Sequence, residues 1–201
     1  MELTKKAMAQ IIKSVSANIE RISPEQTVKL IDLLVEAKKT GRKILVLGAG
    51  RSGLVGKAFA MRLMHLSFNV HVVGETITPA VGKDDILFAI SGSGTTTLVV
   101  TAARIAKRVG AKVVAVTSHP RSPLGKCADH IMVVHGRTKL AERRDYFSRQ
   151  ILGVHEPLAP LGTVFEIATA IFLDALIVEL MHRLGISEQE MKSRHATIEP
   201  P

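Results

Sequence analysis

One cysteine, Cys127, stands among 201 residues, beside one tyrosine, six phenylalanines and no tryptophan. A lone cysteine closes no intramolecular disulfide, which excludes the stapled secreted scaffolds and points to a reducing, cytoplasmic setting. The 8 histidines include no His-x-x-x-His and the chain has no Cys-x-x-Cys, so there is no zinc signature and no metal is expected. Few aromatics leave little surface for stacking bases, and about 40 residues before Gly41 are too few for a convincing helix-turn-helix. No nucleic-acid partner is expected. Long uncharged runs are missing too: the most apolar late stretch, Val164 to Leu184, carries Glu166, Asp174, Glu179, His182 and Arg183, whereas a spanning helix wants roughly 20 almost uncharged residues. The opening Met-Glu-Leu-Thr-Lys-Lys has no apolar signal core, so no membrane partner is expected either. Acids are the last shortage. Against 18 aspartates and glutamates stand 27 lysines and arginines, a net charge of +9 that suits an anionic partner.

Hydrophobic residues, at 46%, are enough for one packed domain in a chain of this length. Leu3, Ala7, Ile11, Ile12, Val15, Ile19 and Ile22 recur at three- and four-residue spacing, which predicts an amphipathic first helix. Ser23-Pro24-Glu25-Gln26 then starts a second, with Ser23 as the cap, Pro24 in the first turn and Gln26 at the capping-box position. Gly41, after Lys38 and Lys39, stops it. Five short apolar runs rich in β-branched residues follow, at 44–47, 70–73, 86–90, 113–116 and 131–134, several of them separated by helical patterns. Continuous apolar runs joined by helical crossovers mean strands buried on both faces, hence a parallel sheet. The expected fold is α/β, a five-stranded, doubly wound, flavodoxin-like parallel sheet. The expected domain organisation is single: N-terminal helices over 1–40, the α/β core over 41–185 and a tail over 186–201. Residues 136–162 are a long charged connection, expected to be a solvated loop or a partner contact. The polar end, Ser193 to Pro201, is expected to stay mobile unless a partner orders it.

Two loops fall at the carboxyl ends of predicted strands, where open α/β sheets bind ligands. Leu47-Gly48-Ala49-Gly50-Arg51-Ser52-Gly53 has the Gly-x-Gly-x-x-Gly spacing of a dinucleotide site, with Glu75 as a possible ribose-binding acid, which keeps a dehydrogenase open. Ser91-Gly92-Ser93-Gly94-Thr95-Thr96-Thr97 is a different signal. Hydroxyls and glycines crowded at a helix start can cradle a phosphate with amides, helix dipole and hydroxyl donors. The plainer reading of the same residues is helix capping, which needs only one hydroxyl. No Gly-x-x-x-x-Gly-Lys-Ser/Thr is present, which argues against a nucleoside triphosphatase, and a sugar monophosphate is the simplest fit.

The Gly50-Arg51-Ser52-Gly53 loop, taken with Ser91-x-Ser93-Gly94-x-Thr96, resembles the sugar isomerase (SIS) domain. Ala60-Met61-Arg62-Leu63-Met64-His65-Leu66, Val73-Gly74-Glu75-Thr76-Ile77-Thr78-Pro79, Gly162-Thr163-x-Phe165-Glu166 leading to Phe172-Leu173-Asp174, and Arg194-His195-Ala196 are similar to the 6-phospho-3-hexuloisomerase family within it. That resemblance implies interconversion of 3-hexulose 6-phosphate (D-arabino-hex-3-ulose 6-phosphate) and fructose 6-phosphate, in the ribulose monophosphate pathway of formaldehyde fixation. It also implies a cofactor-free enzyme and a homotetramer, a dimer of dimers. Loops and resemblance together place the substrate phosphate on Gly50, Arg51, Ser52, Ser91, Ser93, Thr95 and Thr96, and candidate catalytic roles on Glu166, His65 and His195.

Moving a carbonyl from C3 to C2 takes a proton off one carbon, passes through an enediolate and returns the proton to the neighbour. One carboxylate can perform both transfers, with a donor on the oxyanion. Glu166 is the leading base, by its place in the resemblance and because it opens an otherwise apolar helix. Its spacing from Thr163 also fits a capping box, in which the carboxylate would bind the Thr163 amide. His65 ends the helix that begins at the first loop, roughly four turns away, a position unfavourable for a ligand held in its own subunit. The resemblance implies an acid acting across an oligomer interface; the plainer reading is a histidine interacting with the helix dipole. His195 is either a loose tail residue or a contribution from a neighbouring chain. Arg51 balances the phosphate charge, or faces solvent or a subunit contact. The competing class is a non-catalytic sugar-phosphate sensor using the same two loops.

Overall fold

A computed structural model describes residues 1–136 and 158–195. Residues 137–157 of the charged connection and 196–201 of the tail lie outside the described residues, with what was expected of them; Ser193 to His195 are described, and Arg194 and His195 are held by their own chain instead of staying mobile.

Five strands, β1 (Ile44–Gly48), β2 (Val70–Val72), β3 (Ile86–Ile90), β4 (Lys112–Thr117) and β5 (His130–Val133), form one sheet in the order β2-β1-β3-β4-β5. Every pair is parallel, and β1 and β3 stand in register from Ile44 opposite Ile86 to Gly48 opposite Ile90. The inner strands are buried along nearly their whole length, as a sheet covered on both faces requires. The edge strand β2 is short and only half-buried.

Alternation along each strand divides the core in two. Ile44, Val46, Ile86, Phe88, Ile90, Val114 and Met132 pack in the cluster of α1 (Glu2–Ile19), α2 (Pro24–Lys39), α3 (Arg51–His65) and α6 (Thr163–Leu184). Leu45, Leu47, Leu87, Ala89, Val113 and Ala115 pack with α4 (Thr97–Arg108) and α5 (Pro123–Cys127) on the other face. The N-terminal helices belong to the core: Leu30 and Leu34 of α2 are fully buried. No helix among the described residues is long and apolar enough to cross a membrane.

Ser23 caps α2 as its sequence predicts, its hydroxyl accepting from Gln26 N at 3.2 Å. Gln26 does not close the box. Its Oε1 accepts from Val133 N at 3.0 Å, 107 residues away. β5 is the last strand of the sheet, and an edge amide left without a ladder partner has to be satisfied elsewhere.

After α6 the short helix α7 (Glu188–Lys192) is held by a complete capping box of Ser187 and Glu190. The chain then folds back onto the end of α3. Arg194 Nη1 donates to the His65 carbonyl at 2.8 Å, and the His195 ring stacks on the His65 ring with centroids 4.0 Å apart. Lys38 Nζ donates to the Leu66 carbonyl at 2.6 Å, so two cations close the negative end of α3. Burial, with the Arg194 charge adding to it, holds the Lys38 ammonium below its ordinary pKa.

Candidate active site

The chain leaves β1 for β2 on one side and returns with β3 on the other, so the loops after β1 and β3 part and open a crevice. In the first loop, a Cβ on Gly48 would lie 2.7 Å from Gly53 N, and one on Gly53 would lie 2.7 Å from the Gly48 carbonyl. The outer glycines of the Gly-x-Gly-x-x-Gly spacing thus let strand end and helix start touch. Gly50, at φ 55°, turns the chain between them and precedes α3. The ribose-binding role considered for Glu75 has a competitor, since its carboxylate is paired with Lys57 Nζ at 2.6 Å.

In the second loop the buried Ser91 accepts from Gly94 N at 3.2 Å and shares a hydrogen bond with Thr96 Oγ1 at 3.2 Å. Ser93 Oγ accepts from Thr95 N at 3.3 Å and Thr95 Oγ1 at 3.0 Å. Thr96 is the residue before α4, yet its side chain makes no capping bond. The capping reading of this loop therefore fails; the hydroxyls organise one another instead.

The third wall is the start of α6. Gly162 precedes the helix in the left-handed region at φ 91°. The Thr163 amide donates to the Pro160 carbonyl at 3.1 Å, so Glu166 closes no capping box on it. Glu166 Oε2 accepts instead from Arg51 Nε, 115 residues away, joining α6 to α3. Phe165 seats the helix: a Cβ on Gly92 would lie 2.9 Å from its ring, and one on Gly136 would lie 2.6 Å from its backbone. The absent side chains of two glycines are what admit this turn of α6 and carry Glu166 to the crevice.

Ala49, Ser52, Ile90, Ser91, Gly92, Ser93, Thr96, Leu161, Gly162, Phe165 and Glu166 line a cavity of about 330 Å³. Three helices, α3, α4 and α6, begin at it, and none has a side-chain cap. Away from it, α2, α5 and α7 are each capped by a serine, Ser23, Ser122 and Ser187. An uncapped helix start leaves amide donors open and presents the positive end of the dipole. Three such ends among serine and threonine hydroxyls can hold an anion with several acceptor oxygens, such as a phosphate.

Of the residues singled out in the sequence, Ser52, Ser91, Ser93, Thr96 and Glu166 line this cavity, Arg51 reaches Glu166 from outside the lining, and Gly50 is exposed at the start of α3 without lining it. Thr95 is exposed and does not line the cavity. His65 and His195 are elsewhere, stacked at the far end of α3, about 21 Å from Arg51 at ~1.5 Å per residue. Gly92 stands in the loop read as a cradle, but the sequence did not single out Leu161 or Phe165 as cavity walls. Phe165 had a signal, being next to Glu166, whereas Leu161 had none.

Fold and site define a doubly wound α/β protein with a small cavity of hydroxyls and helix starts at the point where its strand order reverses. The chain belongs to the SIS domain family, whose model matches residues 38–140. An uncharacterized protein of Aeropyrum pernix is 54% identical over 96% of this chain and 92% of its own. The 3-hexulose-6-phosphate isomerase of Bacillus subtilis is 36% identical, covering 98% of this chain and 99% of the relative. A solved structure from Methanococcus jannaschii, described as inferring a molecular function of 3-hexulose-6-phosphate isomerase, superposes with a TM-score of 0.73 at 35% identity. It covers 99% of this chain and 100% of its own.

Proposed function

We propose that this SIS-domain protein is a sugar-phosphate isomerase that interconverts 3-hexulose 6-phosphate and fructose 6-phosphate, a step of the ribulose monophosphate pathway of formaldehyde fixation. The observation that carries the reading is that Glu166 shares one small cavity with three uncapped helix starts. A phosphate held by the amides around Gly50 and Thr96 and the hydroxyls of Ser52, Ser91, Ser93 and Thr96 leaves the sugar carbons to extend along the wall that bears Glu166. The likeness to named 3-hexulose-6-phosphate isomerases, over nearly the whole of both chains for the Bacillus subtilis protein, supports the choice of sugar.

In the forward direction Glu166 takes the proton from C2, and the electron pair forms the C2–C3 double bond while the C3 carbonyl oxygen becomes an oxyanion. The protonated Glu166 then delivers its proton to C3, and the hydroxyl proton of C2 passes to the C3 oxygen as the C2 carbonyl forms. Hydrogen and electrons stay within the substrate and one carboxyl group, so no cofactor is required. Open amide donors at the helix starts can stabilise the oxyanion.

His65 at the far end of α3, and His195 stacked on it, lie too far away to reach this cavity in their own subunit; in the proposal they serve a neighbour's site. An apolar groove of about 950 Å³ between α1, α2 and α6, with Ile12, Ile19, Val28 and Ile171 exposed along it, supports assembly into the homotetramer. The deciding experiment offers purified protein 3-hexulose 6-phosphate without added metal or nucleotide. Fructose 6-phosphate should form; no product, or faster turnover of arabinose 5-phosphate, would reject the assignment.

A further inference from the structure

We infer that Arg51 is a substrate-operated latch on Glu166: it holds the carboxylate until an arriving phosphate draws it away and frees the base. The inference rests on the isomerase reading above.

Arg51 Nε donates to Glu166 Oε2, so the base sits in a charged hydrogen bond. The partners are unequal. The Glu166 side chain is 13% exposed and lines the cavity, whereas that of Arg51 is 62% exposed and lies outside the lining. No lysine or arginine lines the cavity among the described residues. A phosphate and a carboxylate therefore meet in about 330 Å³ with Arg51 as the cation in contact with that wall. Two anions in one small cavity repel, and the phosphate carries nearly twice the charge of the carboxylate. The guanidinium fork also matches phosphate oxygens with two parallel hydrogen bonds, where Glu166 now receives one through Nε. An ion pair whose cation is mostly in water is weak, so it exchanges readily.

Arg51 is the first residue of α3 and is followed by Ser52, which lines the cavity, so turning one side chain transfers it from carboxylate to phosphate. Arg51 is thus a positioning residue for the base as well as a phosphate ligand. A sugar lacking phosphate suffers twice, from weak binding and from a base still engaged.

The latch and the plain phosphate ligand differ in sign when the phosphate is removed from the substrate. Exchange of the C3 hydrogen of unphosphorylated fructose with deuterated water, followed by NMR, reports the base alone. In the parent it should be slow and should rise on adding inorganic phosphite. In Arg51→Gln it should start ~3–5-fold faster than the parent, as expected for loss of an exposed ion pair, and phosphite should no longer help. The same variant should raise KM for fructose 6-phosphate by ~10–100-fold. Exchange that is unchanged or slower in Arg51→Gln overturns the latch. A crystal structure with fructose 6-phosphate bound gives a second reading: Arg51 on the phosphate and off Glu166 supports it, and Arg51 still on Glu166 overturns it. If the parent does not turn over fructose 6-phosphate at all, the isomerase reading fails instead.

Discussion

Replacing Glu166 by glutamine keeps the shape of the side chain and removes its basicity, and the structure says how little else is lost. The Thr163 amide is already bound by the Pro160 carbonyl, so no helix cap depends on the carboxylate. Its partner Arg51 is 62% exposed, and an ion pair of that kind contributes ~0–1 kcal/mol. For a chain of this size 1 kcal/mol moves Tm by ~2–4 °C, so Glu166→Gln should melt within about that range of the parent. Turnover is another matter. A positioned acid–base group contributes ~10²–10⁴ in rate, which is ~2.7–5.4 kcal/mol of barrier. KM for fructose 6-phosphate should stay level or fall, because Arg51 is freed for the phosphate. The assay pairs steady-state isomerisation in both directions with a thermal melt and with exchange of substrate hydrogen in deuterated water, which should vanish with turnover. Retention of more than about a tenth of the parental kcat, a concession of only ~1.4 kcal/mol, would place the base elsewhere. A Tm drop beyond ~8 °C, about twice that expected from losing the pair, would make the loss structural.

Ser91→Ala combined with Ser93→Ala should chiefly raise KM, by ~10–100-fold for each hydrogen bond lost to a charged group; an unchanged KM in the double variant rejects the phosphate loop. Gly92→Ala would press a methyl group to 2.9 Å from the Phe165 ring, an overpacking that costs ~1–3 kcal/mol in chemical denaturation. It should also depress kcat, because Glu166 follows Phe165, so a variant of parental stability and rate would contradict the seating of α6. His130 is buried, and that burial, opposed by its bond to the Gln26 backbone and reinforced by the Lys29 charge, holds the imidazole below its ordinary 6.5. A folded-state pKa below the unfolded one means that stability is complete above about pH 6.5 and falls as the pH drops through the folded value. His130→Gln should remove that decline in urea unfolding between pH 7.5 and 5. A parent and variant that lose stability in parallel would refute it.

What the sequence determined alone is what neighbours in the chain decide. Strand positions follow from β-branched apolar runs, the start of α2 from Ser23 and Pro24, and the two glycine- and serine-rich loops from their residues. Each depends on side chains within a few positions of one another, where backbone period and local hydrogen bonding settle the outcome. The same logic misled where a local partner was outbid from afar. Gln26 and Glu166 both stand at capping-box spacing, and both are engaged across the fold, by the Val133 amide and by Arg51. That the β5 edge amide meets Gln26 and the Arg51 guanidinium meets Glu166 is a product of the tertiary packing, which no local pattern encodes. His65 and His195 show the same limit, since a stack between residues 130 positions apart exists only once α7 has turned the chain back onto α3. The proposed anion site itself belongs to the tertiary structure. Its glycines and hydroxyls were visible one loop at a time, but its charge comes from three uncapped helix starts meeting in one cavity. Only the packing of α3, α4 and α6 around β1 and β3 brings those dipole ends together.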